Sequence, residues 1–266
     1  MTRLKENWIE DIEKGIVDCQ DYLSEKTGRS FKTILREHIW PLQTIKVAVI
    51  PVTQGQGIIG HFAESVASVI RVMDFEVFIT EETDVAGIYE AACKKADVIF
   101  MADDSRFIAW NLKTGEMADN NIATAVGYVN VLEGALGSLK KKGILLLGYG
   151  TVGEEICKVL EIKEANVTVY DRDVTKQKKL RDQGIKTIKT KEEIKEFEFV
   201  IDATNTGDWL RSDMLHDEVW YVSPGVPLSL DAAAYNRFQD RIIHDYLQIG
   251  VATMLAMVLQ NNKIFV

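Results

Sequence analysis

Residues 143–155 read GILLLGYGTVGEE, and this stretch decides the fold. Four apolar residues, Ile144 to Leu147, run without interruption, as in a strand covered on both faces. Glycines follow at once in the spacing G-x-G-x-x-G, at Gly148, Gly150 and Gly153, and Thr151 to Leu160 reads as a helix. Each glycine has its own task in such a unit. Gly148 permits the tight turn, Gly150 leaves no side chain in the way of a pyrophosphate, and Gly153 lets helix and strand approach. The free N–H groups at the helix start then meet the phosphates. The next strand, NVTVYD, ends in Asp171, about 20 residues past the glycines, where a carboxylate accepts hydrogen bonds from ribose hydroxyls. That acid repels a 2′-phosphate, so NAD is expected over NADP, and the neighbouring Arg172 tempers the preference.

Outward from this unit the same alternation continues. Val174 to Asp182 reads as a helix; FEFVIDAT, EVWYVSP and RIIHDY read as further strands, and Thr253 to Asn261 as a last helix. Upstream, KVAVIPV from Lys46 is a β-branched strand. A helix over Ile58 to Met73, the strand EVFIT, a helix over Asp84 to Lys95 and the strand DVIFMADD follow. Strand–helix–strand in so little chain predicts parallel sheets joined by crossovers. A helix over Asn121 to Leu139 links the two halves. It ends in Lys140 to Lys142, which suits a helix C-terminus better than an anion site. At the N-terminus, Ile9, Ile12, Ile16, Cys19 and Leu23 repeat at helical spacing, and Trp40-Pro41 ends the pattern.

The predicted fold class is therefore α/β: N-terminal helices plus a small parallel-sheet domain, followed by a Rossmann dinucleotide-binding domain. The boundaries are set at 1–125 for a substrate-binding domain and 126–266 for the NAD-binding domain. Its C-terminal helix is expected to pack back on a cleft between the two.

Composition narrows the function. The chain has 266 residues, 47% hydrophobic and 27% charged, which excludes disordered and collagen-like classes. A net charge of −9 disfavours a nucleic-acid partner. The charged N-terminus is no signal peptide, and Ile249 to Leu259 is too short to cross a bilayer, so a soluble cytoplasmic protein is expected. Cys19, Cys93 and Cys157 stand far apart in no ligand spacing; they read as core residues, and no metal is expected.

A second match to the glycine spacing occurs at Gly55, Gly57 and Gly60, but Pro51 to Gln54 separate it from its strand. A backbone-lined pocket fits this loop better than a phosphate cradle, although Glu81 downstream keeps a second dinucleotide site open, and a plain strand-to-helix turn fits equally well. Asp103 and Asp104 end a parallel strand, the edge at which open α/β sheets bind ligands. Asn111 and the run Asp119-Asn120-Asn121 follow, with Asn121 also fitting a helix cap. Acids and neutral amides at one sheet edge suit a polar substrate bearing an amine. Of the four histidines, none stands beside an acid or Arg in a dehydrogenase-like pattern, and His61 reads as a surface residue.

The stretches VAVIPVTQGQGIIGHF, DVAGIYEA, VIFMADDSRFIAWNLKTGEMADNN, LLLGYGTVG, VYDRD, VSPGVP and IGVATML together resemble the pyrrolysine synthase family. The likeness runs from about Lys46 to Leu259. It implies an NAD-dependent amine dehydrogenase, a homodimer, acting on L-lysine-Nε-3R-methyl-D-ornithine. The terminal amine is oxidised, ammonia leaves, and loss of water closes the pyrroline ring of L-pyrrolysine. The implied NAD site comprises Gly148, Tyr149, Gly150, Thr151, Val152, Gly153, Asp171 and Arg172, flanked by Ala203, Thr204, Ser223, Pro224 and Gly225. The implied substrate site comprises Gly57, Ile58, Asp103, Asp104, Asn111 and Asn121, with Leu4 and Trp8 brought near by a lid helix and Asp104 as the catalytic group. The chain departs from the family pattern at Gln54, Trp110 and His244-Asp245. Two other readings stay open: a dehydrogenase for a different amine, and a nucleotide-sensing module without catalysis.

Overall fold

The structure, a computed structural model, describes residues 45–259 except 56, 58 and 59, together with Asp21, Ser24 to Lys26 and Gly28. The expectations for Leu4, Trp8 and Ile58, and for the first helix apart from Asp21, lie outside the described residues. The chain divides into two compact units: the first runs to Gly127 and resumes at Leu247, and the second spans Tyr128 to Tyr246.

The first unit holds β1 (Lys46–Ile50), α1 (Phe62–Val72), β2 (Glu76–Ile79), α2 (Asp84–Cys93), β3 (Val98–Ala102), β4 (Phe107–Asn111), β5 (Met117–Asp119) and the start of α3 (Asn120–Leu136). Its sheet has the order β2-β1-β3-β4-β5. The expected parallel sheet is there, since β1 pairs in parallel with β2 and β3. It is extended by two antiparallel strands that the sequence reading left out. Their pattern was visible: Phe107, Ala109 and Asn111 are buried while Ile108 and Trp110 are half-buried, the period of a strand. Turn residues flank the run, with Gly115 at φ +79°.

In the second unit, β6 (Gly143–Leu147), α4 (Thr151–Ile162), β7 (Asn166–Tyr170), α5 (Val174–Asp182), β8 (Lys186–Thr187), β9 (Phe199–Asp202), β10 (Trp220–Ser223), α6 (Ala232–Phe238) and β11 (Ile242–His244) follow in chain order. The sheet order is β11-β10-β9-β6-β7-β8, and every pairing is parallel. The chain moves outward from β6 to β7 and β8, then returns to β9 on the other side, so the crevice for a ligand lies at the carboxyl end of β6. Leu145, Leu147, Val200, Tyr221 and Phe238 fill the core beneath it.

The last helix, α7 (Gln248–Leu259), differs most from expectation. Chain order assigned it to the Rossmann domain, with a start at Thr253. It begins five residues earlier, by the difference 253 − 248, and packs on α1, β4 and β5 of the first unit. Gly250 lies inside the helix. Its role is close approach: a Cβ there would lie 2.9 Å from Asn120 Oδ1, while one on Gly127 of α3 would lie 2.6 Å from Ile249 and Thr253. Small residues on both helices let α3 and α7 touch. The unit division correspondingly falls inside α3, two residues past the expected boundary.

Candidate active site

The glycine loop of the second unit is shaped by backbone contacts. Gly148 has φ +86°, and a Cβ on it would sit 3.1 Å from the Ala203 carbonyl oxygen. A Cβ on Gly153 would meet the Gly148 carbonyl oxygen at 2.2 Å, so only glycine lets α4 close on the turn. At Gly150, the N-cap of α4, a Cβ would find nothing within 4 Å. The loop is thus filled behind and open in front, with the N–H groups of Thr151, Val152 and Gly153 unclaimed by helix bonds. That is what a pyrophosphate requires.

Asp171 ends up 8% exposed at the tip of β7. Its Oδ2 accepts from the Tyr149 N–H at 2.8 Å and its Oδ1 from the Asp173 N–H at 2.9 Å. Each oxygen keeps a second lone pair for a ribose hydroxyl. Asp171 is therefore also the brace of the glycine loop, a role its spacing does not announce. Lys176 adds to this brace, with Nζ 3.1 Å from the Tyr149 carbonyl and 3.9 Å from Asp171 Oδ2. Arg172 is exposed beside it.

Ala203 and Thr204 follow β9, and Ser223 ends β10 with Pro224 and Gly225 behind it, at the same sheet edge. What binds these segments together is Asp202, which the sequence reading passed over as the end of a strand. It is wholly buried. Its carboxylate accepts from the Tyr221 hydroxyl at 2.5 Å and the Thr204 N–H at 2.8 Å, and its carbonyl accepts from Ser223 Oγ at 3.1 Å. Burial first, and then the Asp202 carboxylate, pushes the Tyr221 phenol well above its ordinary range. Gly225 lies so close that a Cβ would be 2.2 Å from the Thr204 carbonyl. His244 sits on the neighbouring strand end, its Nδ1 2.8 Å from the Ser223 carbonyl. The carbonyl can only accept, so Nδ1 carries the proton, and the buried Nε2 has no hydrogen-bond partner among the described residues.

In the first unit, the carboxyl ends of β1 and β3, the start of β4 and the end of β5 lie along one sheet edge. Asp104 is exposed there, and its carboxylate lies over Gly55, whose Cβ would stand 2.2 Å from Oδ2. Gly55 has φ +77° and Gly57 +86°. Asp103 is turned the other way in role: its Oδ1 accepts from the Ser105 and Arg106 N–H groups, both at 2.7 Å, closing the β3–β4 turn. Those two bonds hold its carboxyl below the usual range. Asp119 pairs with Arg106 at 3.0 Å and accepts from the Asn121 N–H at 2.8 Å, which places Asn121 on the same edge, half-buried.

Asn111 is not brought to this edge. It pairs with Val98 at the opposite end of β3 and is 7% exposed. Its amide donates to the Val258 carbonyl at 2.9 Å and accepts from the Lys113 and Thr114 N–H groups. Reversal of the chain at the β3–β4 turn carries it away from Asp104, so Asn111 fastens α7 and the β4–β5 turn instead. Trp110 is half-buried against the core around Ala48, Ile50 and Ile99. Gln54 and Glu81 are exposed, and α1 begins only at Phe62, with His61 at φ +59° before it. Among the described residues, no helix N-terminus follows β1 directly, as the dinucleotide reading that Glu81 left open requires. Among the described residues there is no cluster of three or more metal-ligating side chains, and no helix is long and apolar enough to cross a membrane.

An α/β unit followed in the chain by a Rossmann-like unit is a fold shared with solved shikimate dehydrogenases. Residues 130–218 match the shikimate/quinate 5-dehydrogenase family, and the shikimate dehydrogenase of Aquifex aeolicus superposes with a TM-score of 0.54 at 16% identity, over 82% of this chain and 93% of that one. Residues 8–118 match the N-terminal domain of the pyrrolysine biosynthesis protein PylD. The pyrrolysine synthase of Methanosarcina acetivorans is 30% identical over 94% of this chain and 97% of its own length. That of Methanosarcina barkeri is 33% identical over 94% and 95%. The chain belongs to the pyrrolysine synthase family.

Proposed function

We propose that the chain performs the closing step of pyrrolysine biosynthesis, an NAD-dependent oxidation of the terminal amine of L-lysine-Nε-3R-methyl-D-ornithine. The observation that carries the reading is the Asp104 carboxylate laid across Gly55 at the sheet edge that also presents Asn121. A bound dinucleotide supplies the hydride acceptor; the open face at Gly150, the amides of α4 and Asp171 would hold it. Asp171 favours NAD, because its charge opposes a 2′-phosphate.

The chemistry requires the reacting carbon to bear a nitrogen with a free lone pair. A lysine-like ammonium has a pKa of about 10.4, so freeing it at pH 7 costs roughly 4–5 kcal/mol. Asp104 cannot lower that cost, since a carboxylate stabilises the ammonium. Its role is to orient the amine, while the proton leaves through water. Oxidation gives an imine, water adds to it and expels ammonia to leave an aldehyde, and the ornithine α-amine condenses with that aldehyde, losing the water again as the pyrroline ring closes.

Two outcomes test this. Purified protein with NAD and the named substrate should produce NADH absorbance, and mass spectrometry should find the pyrroline amino acid. Asp104→Asn should lose most turnover and keep its NAD affinity by calorimetry. Near-wild-type turnover in that variant would sink the role given to Asp104, and no NADH with intact NAD binding would point to another amine.

A further inference from the structure

Asp84 opens α2, yet its carboxylate serves a different segment. Oδ1 accepts from the Thr53 N–H at 2.9 Å and Oδ2 from Thr53 Oγ1 at 2.5 Å. In return, the Asp84 N–H donates to the Pro51 carbonyl at 3.1 Å. Thr83 Oγ1 adds a bond to Oδ2 at 3.0 Å. Three bonds thus tie residues 51–53 of the β1–α1 loop to one residue of α2.

Asp84 adopts φ +52°, the left-handed region, which a non-glycine residue enters at a cost and keeps only where its surroundings hold it there. An acid in a first helical turn ordinarily supports the N-terminus of its own helix. Here both oxygens are directed at the loop. The anchor itself is firm, because Gly87 brings α2 against β1 so closely that a Cβ would lie 2.6 Å from Ile50 Cγ2.

Two residues beyond Thr53 lies Gly55, the residue on which the Asp104 carboxylate rests. Only two trans peptide units separate the latch from that contact, so a displacement at Thr53 has little chain in which to be absorbed before Gly55. We propose that Asp84 is a positioning residue for the reaction: it latches the β1–α1 loop and so holds Gly55 and Asp104 in register for the substrate amine. The inference rests on the role given to Asp104 above.

Asp84→Ala and Thr53→Val are the variants to make, singly and together. Hydrogen exchange at the Thr53 amide reads the latch without any substrate, and it should accelerate in Asp84→Ala. Substrate KM should rise about tenfold in Asp84→Ala and less in Thr53→Val, with kcat within about threefold. NAD affinity should not move, since the dinucleotide loop belongs to the other unit. The double variant should match Asp84→Ala alone, because the hydroxyl bond lost in Thr53→Val is one of those that Asp84→Ala already removes. Asp84→Asn, which retains one acceptor, should recover part of the loss. Faster exchange with an unchanged KM would overturn the proposal, as would additive effects in the double variant or unchanged exchange in a folded Asp84→Ala. Should the wild-type protein fail to oxidise the substrate at all, the function reading falls and takes the positioning role with it, while the exchange result still decides whether the latch exists.

Discussion

Two loops in this chain share the spacing G-x-G-x-x-G, and they are built for different purposes. After β6, the third glycine rests on the carbonyl of the first, at a distance that would put a Cβ 2.2 Å away, and α4 starts directly behind the second. After β1, the third position, Gly60, has nothing within 4 Å of a Cβ, and the helix is delayed to Phe62. The first of these loops is glycine-rich because backbone must pass backbone. In the second, Gly55 holds φ +77°, and the carboxylate of Asp104, just past β3, occupies the space a side chain would take. Spacing alone does not separate the cases. What each missing Cβ would strike does.

The largest effect should come from equal substitutions in the two loops. Gly153→Ala forces the helix from the turn; overpacking of this kind costs about 1–3 kcal/mol. The phosphate amides move with it, so NAD affinity should fall by about tenfold or more. Gly60→Ala meets open space and should leave NAD affinity and thermal stability near wild type. Calorimetry with NAD on both proteins checks the pair, and equal losses would erase the distinction between the loops.

Asp171→Asn sharpens it further. Removing the charge lets a 2′-phosphate approach Arg172 and Lys176, so the ratio of NADP to NAD affinity should rise by about tenfold. NAD affinity itself should fall, because an amide NH2 cannot accept from both the Tyr149 and Asp173 N–H groups that the carboxylate now takes. Titration with both dinucleotides reads the two effects separately; an unchanged ratio would mean that Asp171 acts only as a brace.

Much of the second unit was legible in sequence because each signal was local: an apolar run, glycines at fixed offsets, an acid at the next strand end. The parallel strands of the first unit were legible for the same reason. What escaped reading depends on partners distant in the chain. Asp202 looks like any strand terminus until Tyr221 is folded against it. Asp84 looks like a helix-start acid until Thr53 arrives from 31 residues away. Asn111 drew attention through its nearness to Asp104 in sequence, and the β3–β4 reversal separates the two. The C-terminal helix is apolar on every face, so its residues carry no helical period to mark its start, and chain order suggested the wrong unit for it.

Asp103 and Asp104 are adjacent, and acid titration offers the finest way to tell them apart. The Ser105 and Arg106 N–H groups hold Asp103 below its ordinary value of 3.8. A carboxyl depressed in the folded state binds fewer protons there than in the unfolded chain, so it favours folding above the unfolded value and ceases to do so as pH falls through the folded one. Asp103→Asn keeps an oxygen for the turn and removes only the charge. Its melting temperature should therefore lie slightly below wild type at neutral pH, and the gap should close below about pH 3.8. The group is partly exposed, so solvent screening keeps the difference small. Its turnover should stay close to wild type, in contrast to Asp104→Asn, because the Asp103 oxygen closes a turn, whereas the proposed function gives the substrate amine to the Asp104 carboxylate. A large loss of turnover in Asp103→Asn at unchanged stability would show that the amine is held by both acids together.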